Sequence, residues 1–340
     1  MTTVAYTCPF VPAEWITAHE LKASRIVPPR WRHGELMEAT EGLCPFARAF
    51  LNDLARRPAE SPVVFTTVCD QMRRAAEVFA ARCPDRPCFV MNVPTTWQTP
   101  AAMGLYIDEL RRLGEFLVHL GGQTPTNEKL TEVMLAYDDA RQQIRAARES
   151  LTARQYAELL TDFGRCGLDA LPAQSRAPQA DHKSDAVPLA IVGGPLTGGH
   201  FEILDVIERF GGRVVLDATT GGELTIPPPL DRQRAGKNPL AALAEAYFGA
   251  IPHAMRRPDS MLHEYIAREL AARSVKGILL HRQLWCDLWH GQLPRIKQQT
   301  ALPVLDIDVA DEDADFGRQA GKIQAFMEML GGKKVGSLGS

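Results

Sequence analysis

LAIVGGPLTGGHFEILDVIERFGGRVVLDA, residues 189–218, decides the fold class. It opens on an apolar run, breaks at Gly193–Gly194, and resumes with apolar residues at helical spacing (Phe201, Leu204, Ile207). A later glycine pair, Gly211–Gly212, then leads into the apolar run Val214–Val215–Leu216. Strand, glycine turn, helix, glycine, strand is a βαβ unit. A single crossover helix returns the chain to a strand running in the same direction, so the sheet it starts is parallel.

The pattern continues on both sides. Downstream, IARELAARS reads as a helix, KGILLHRQ (276–283) and PVLDIDV (303–309) as strands, and residues 317–330 as a closing helix before the tail GGKKVGSLGS. Upstream, residues 171–187 (LPAQSRAPQADHKSDAV) are polar and aperiodic, the composition of a linker. Before them the alternation recurs: SPVVFTTVC (61–69) as a strand, DQMRRAAEVFAARC as a helix with Asp70 as its N-cap, and PCFVMNV (87–93) as a strand stopped by Pro94. A helical region then spans about Ala101–Ala153, broken at Gly121–Gly122 and near Pro125, with Leu105, Ile107, Leu110, Leu113, Phe116, Leu117 and Leu120 on its expected core face. Expected is an α/β chain of two doubly wound, parallel-sheet lobes with a helical segment between them. The boundaries are 1–170, a linker at 171–187, 188–330 and a flexible tail at 331–340.

Composition narrows the function classes. The chain has 340 residues, 45% apolar and 23% charged, which fits folded domains rather than a disordered or fibrous chain. Lys and Arg number 38 against 41 Asp and Glu, a net charge of −3, so no global positive field points to nucleic acid. MTTVAYTCPFVPAEW has neither the basic nor the apolar region of a secretory signal, and no apolar run is long enough for a membrane span. A cytoplasmic protein is expected. In that compartment grouped cysteines bind metal or do chemistry more often than they pair.

There are seven cysteines. Ligands in parallel sheets bind outside the carboxyl ends of the strands. Cys69 closes one strand, and Cys286 follows another by a few residues. Cys44, in GLCPFARAF, opens a helix, where the dipole favours a thiolate. Together they form a candidate constellation, either for an iron–sulfur cluster, whose ligands need not be close in sequence, or for no metal at all. Cys83 and Cys88 (CPDRPC) lack the two further ligands a zinc site requires, and with Cys166 they read as structural thiols. GGPLTGGH (193–200) is either an anion-binding turn or a tight turn needing positive φ. It carries neither a P-loop Lys-Ser/Thr nor a GxGxxG pattern.

The order of motifs carries more than any one of them. CPFVPAEWITAHELKASRIVP (8–28), GLCPFARAFLNDL (42–54), TTVCDQMRR (66–74), VMNVPTT with YIDELRRLGEFLVHLGG, the 193–223 stretch, VKGILLHRQLWCDLWHGQLPRIK (275–297) and GRQAGKIQAFMEML (317–330) follow one another. In that order the chain resembles the 2-hydroxyacyl-CoA dehydratase/benzoyl-CoA reductase, or D-component, family over roughly residues 8–330. The resemblance implies two Rossmann-like lobes with a [4Fe-4S] cluster in the cleft, held by Cys44, Cys69 and Cys286. It implies single-electron chemistry on an acyl-CoA thioester, an ATP-hydrolysing iron–sulfur activator protein, and a homologous second subunit or a homodimer. No nucleic acid or membrane partner is implied. Cys8 stands where members with additional cysteines carry one and is a candidate extra ligand, which keeps open a double-cubane [8Fe-9S] reductase of small molecules. A non-catalytic acyl-CoA-binding or scaffold subunit is the third reading. His253, in IPHAMRR, replaces a cysteine common in the family, Lys322 replaces an arginine, and AHELKAS departs from the usual opening.

Overall fold

The structure, a computed structural model, describes residues 1–29, 42–170, 185–309 and 316–331. The first lobe contains β1 (Thr3–Tyr6), α1 (Ala13–Ala18), β2 (Lys22–Arg25), α2 (Pro45–Ala55), β3 (Val63–Thr66), α3 (Asp70–Arg82) and β4 (Cys88–Met91). Its sheet is parallel throughout, in the order β2-β1-β3-β4. Three helices follow: α4 (Pro100–His119), α5 (Asn127–Ala147) and α6 (Ala153–Cys166).

The second lobe begins with β5 (Val187–Gly193), α7 (Glu202–Arg209) and β6 (Gly212–Thr219). An excursion follows, with α8 (Arg232–Lys237), α9 (Pro239–Ala244) and a π-helical turn, Glu245–Gly249. The lobe closes with α10 (Ser260–Ala272), β7 (Gly277–Gln283), α11 (Asp287–His290), α12 (Gln292–Gln299), β8 (Val304–Val309) and α13 (Phe316–Met329). Its sheet is also all parallel, ordered β6-β5-β7-β8, so both sheets share one topology.

Alternating side chains cover both faces of each sheet, the period-two consequence of the pleat. Val4, Tyr6 and Val64 face a core with α1, α4 and α5, while Ala5, Val63 and Phe65 face α2 and α3. In the second lobe Leu189, Ile191 and Leu279 pack against α7 and α13, while Ala190, Val192 and Leu280 pack against α10. Within β5, Gly193 is required. Its φ is +143°, and a Cβ there would lie 1.8 Å from the His281 carbonyl oxygen of β7.

The excursion after β6 does not stay with its own lobe. Leu243 and Phe248 join the core of the first lobe, and the Phe248 ring stacks on Tyr106 of α4 at 4.9 Å between centroids. A buried polar cluster ties the same elements. Glu14 of α1 pairs with Arg141 of α5 at 2.5 Å, Arg141 donates to the Tyr247 hydroxyl at 2.7 Å, and that hydroxyl donates to Glu14 at 2.6 Å. Helix α6 contacts both β2 and α7, so the helical segment touches both lobes.

Several local expectations need correction. The helical region breaks where expected, between α4 and α5, but it continues past Ala153 as a further helix, α6. Gly121 has φ +93°, and a Cβ on Gly122 would meet the His19 carbonyl at 2.7 Å, which fixes the break between α4 and α5. Leu105 is 55% exposed, because α4 turns only Tyr106, Leu110, Leu113 and Leu117 fully inward. Asp70 is the first residue of α3, and Cys69 is its N-cap. Of the expected linker, residues 171–184 lie outside the described residues, as do tail residues 332–340.

Candidate active site

The carboxyl ends of the two sheets meet around a cavity of about 360 Å³. Cys8, Cys44, Cys69 and Cys286 all line it. Cys8 follows β1 and Cys69 follows β3, the two strands between which the order of the first sheet reverses. In the second lobe the corresponding reversal lies between β5 and β7, and Pro195 and Cys286 follow those strands into the same cavity. Helices leave such a point in opposite directions and open a crevice there.

Cys44, Cys69 and Cys286 share a local setting that Cys8 lacks. Each is the N-cap residue of a helix: α2, α3 and α11 respectively. The Ala47 N–H donates to the Cys44 sulfur at 3.4 Å. At the same i+3 position, the N–H groups of Met72 and Trp289 favour the thiolates of Cys69 and Cys286. Pro45 at the first helical position and a 2.7 Å bond from the Cys44 N–H to the Gln71 side-chain oxygen fix the first cap. Cys286 is aimed by strain in the backbone before it. Trp285 has φ +63°, a left-handed conformation that a bulky side chain rarely adopts away from functional turns.

Burial dominates the electrostatics. It pushes the Cys44 and Cys69 thiols up to about 12 and Cys8 to about 11, and it raises Cys286. The thiols also raise one another. Cys286 acts on Cys44, and Cys44, Cys286 and Cys8 act on Cys69, as groups sharing one low-dielectric space must. Backbone N–H groups oppose burial at each cap without overcoming it. Without a cation these sulfurs hold their protons at neutral pH.

Polar residues complete the wall. Arg25 bridges the lobes by donating to the carbonyls of Thr7 (3.1 Å) and Thr220 (2.8 Å). His253 is buried; burial, with Arg256 and Arg25 nearby, lowers its pKa to about 3, so the ring is neutral. Its Nδ1 accepts the Met255 N–H at 3.1 Å, which leaves the proton on Nε2. Arg257 also lines the cavity, anchored on the carbonyls of Ala254 and Arg256.

The three cysteines selected from strand ends and a helix start, and the candidate Cys8, are thus brought to one cavity. Cys83, Cys88 and Cys166 do not line it. The GGPLTGGH turn contributes only Pro195. His200 fills the turn itself, with its Nδ1 accepting the Thr197 N–H at 3.2 Å. Sequence reasoning gave no role to Arg25, Gln71 or Arg257. Arg25 becomes legible only once KASR is known to be a strand, and Gln71 only once Cys69 is known to cap α3.

No curated protein matches the chain. The model of one family, described as 2-hydroxyglutaryl-CoA dehydratase, D-component, matches residues 8–330, a span that includes every strand but β1 and all four cavity cysteines. The chain belongs to the 2-hydroxyglutaryl-CoA dehydratase D-component family.

Proposed function

We propose that the chain is the iron–sulfur subunit of a 2-hydroxyacyl-CoA dehydratase-type enzyme acting on an acyl-CoA thioester. In this reading Cys44, Cys69 and Cys286 hold a [4Fe-4S] cluster. One observation carries it: three helix-capping thiols from three segments and both lobes line a single buried cavity. The donor set fits, since thiolates are the usual ligands of such clusters. Among the described residues no three His, Cys, Asp or Glu side chains close on one point, as a single metal ion requires. Thiols spread around a cavity wall suit a polynuclear cluster, which occupies the space between its ligands. Iron would replace the thiol protons, and the burial that disfavours a bare thiolate strengthens its attraction to a cation.

Bound there, the cluster supplies single-electron transfer and, with three protein ligands, one iron position open to substrate. The chain's own residues supply the rest. Arg25 holds the two lobes at a fixed spacing across the cavity. Neutral His253 keeps its proton on Nε2, a donor suited to a thioester carbonyl oxygen without adding charge. Phe46, Met72, Met255 and Leu288 make the wall largely apolar, which excludes water from the reacting groups. The electron would come from an ATP-hydrolysing iron–sulfur activator, and a homologous second subunit or second copy would complete the enzyme.

Cys8 on the same wall favours a second reading, a double-cubane [8Fe-9S] reductase. Iron and sulfide counting on anaerobically purified protein separates the two. About four irons per chain support the proposal, and about eight support the double cubane. Cys69→Ser and Cys286→Ser should each lose the cluster. Full iron retention in either variant, or no iron after reconstitution of the wild type, refutes the ligand assignment.

A further inference from the structure

A second, larger cavity of about 520 Å³ has no part in this chemistry. It lies between the last turn of α5, Tyr156 of α6, the loop after β6, and α10. Four guanidiniums line it, those of Arg145, Arg148, Arg268 and Arg273. The carboxylates are Glu149, Glu223 and Glu269, but the Glu149 side chain is 87% exposed and pairs with Arg213. Two carboxylates therefore serve four cations. Arg273 engages both, Arg268 shares Glu269, and Arg148 lies 3.6 Å from Glu223. Arg145 meets no carboxylate. It donates to the Pro227 carbonyl, and burial together with Arg141 lowers its pKa, which Asp138 offsets only in part.

These side chains are also fixed in advance. Arg148 donates to the Val214 carbonyl and Arg273 to the Val215 carbonyl, both on β6, so neither must be ordered by a ligand. The rest of the wall offers apolar surface, with Pro228, Pro229 and Pro252 and the ring of Tyr265. Guanidinium forks match phosphate oxygens, and a concave wall with excess positive charge concentrates anions.

We propose that this cavity binds the phosphate groups of a nucleotide, with the base against the proline and tyrosine wall. The same chemistry is offered by the nucleotide end of coenzyme A and by a free adenine nucleotide. A narrow cavity of about 50 Å³ shares Pro9 and Arg25 with the cysteine cavity and Ile226 with the arginine cavity. Only that choice of source rests on the acyl-CoA reading.

Calorimetric titration of the full chain with adenosine 3′,5′-bisphosphate, ATP and adenosine tests the site. Both phosphorylated compounds should bind and adenosine should not. Arg145→Gln and Arg268→Gln should each weaken binding about tenfold, the loss of one charged hydrogen-bonded contact. Neither variant removes the Glu223–Arg273 pair, so ligand-free thermal midpoints should stay near that of the wild type. Arg232→Gln, which pairs with Asp139 outside the cavity, should bind as the wild type does. Preference for the 3′,5′-bisphosphate identifies coenzyme A as the source, and preference for ATP a free nucleotide. No binding at millimolar concentration, equal binding of adenosine, or full binding by the Arg145→Gln/Arg268→Gln double variant overturns the proposal. Iron-free protein that still binds the nucleotide separates this site from any failure of the cluster assignment.

Discussion

Glu14→Gln should cost about 3 kcal/mol or more of stability, far beyond the effect of an ordinary side-chain change. Glu14 and Arg141 have side chains only 2% and 9% exposed, in contact at 2.5 Å, with the Tyr247 hydroxyl bonded to both. Glutamine keeps the shape and one acceptor but leaves the guanidinium charge buried without a counterion, and such stranded charges cost about 3–5 kcal/mol. Tyr247→Phe leaves the ion pair intact and strands one donor and one acceptor, for about 1–3 kcal/mol. Arg141→Met strands a carboxylate instead, at a comparable cost. The Glu14→Met/Arg141→Met double variant removes both charges and should cost clearly less than the two single methionine variants combined. Urea unfolding, comparing midpoints at constant slope, measures each cost. A Glu14→Gln loss below about 1 kcal/mol, or strict additivity in the double variant, would refute the buried-charge account of how the helical extension is held.

Three further outcomes follow from the same structure. Gly193→Ala should destabilise by about 3 kcal/mol or more in urea unfolding, because its Cβ would overlap the His281 carbonyl and push β5 away from β7. Burial lowers His281 to about 4 and raises Asp217 to about 6. His281 stability is therefore full above about 6.5 and lost as pH falls toward 4, while Asp217 runs the opposite way and is lost as pH rises to 6. The two offset, so Asp217→Asn should steepen the loss between pH 6.5 and 4.5 by about 2 kcal/mol, and an unchanged slope in thermal or urea titration would refute it. Cys83→Ala, Cys88→Ala and Cys166→Ala should each retain the iron content of the wild type in anaerobic preparations, since none lines the cysteine cavity.

The strands that sequence reasoning found are those whose burial is written in their own residues. Ala190, Ile191, Val192, Leu279 and Leu280 are fully buried on both faces of a central strand, and such runs are continuous and apolar. The strands it missed are β1 and β2. TVAY is too short to show a period, and KASR is polar, with only Ala23 and Ser24 buried. KASR is a strand because Lys22–Arg25 pair with Thr3–Tyr6, a long-range fact that no local window contains. The excursion through α8 and α9 was hidden for a related reason. Its apolar residues Leu243 and Phe248 serve a core begun more than a hundred residues earlier. At the site, strand-end position selected Cys69 and Cys286 and a helix start selected Cys44, but the N-cap role common to all three became visible only with helix boundaries. Asp70 is a good capping residue type, yet Cys69 holds the cap, so the residue with the weaker local preference stands at the cavity wall.

Equivalent topology in the two lobes explains why the site needs both. Each sheet reverses its strand order once, beside its first strand, and each reversal leaves a crevice at the carboxyl edge. A single crevice is open to solvent on one side, and thiols there would be half-wetted. Setting the two crevices face to face encloses the space and takes Cys44 and Cys69 from one lobe and Cys286 from the other. The proposed ligand set is then also a clamp, since a group bound to all three joins two lobes that are also linked at this edge by Arg25 on its carbonyl partners and by the Arg257 N–H on the Thr95 carbonyl. Arg25 must reach from Thr7 to Thr220, so the polar strand β2 is retained although it adds little to the core. Its register on β1 sets where that guanidinium emerges. The residues least legible in the sequence are in this way the ones that hold the legible cysteines in register.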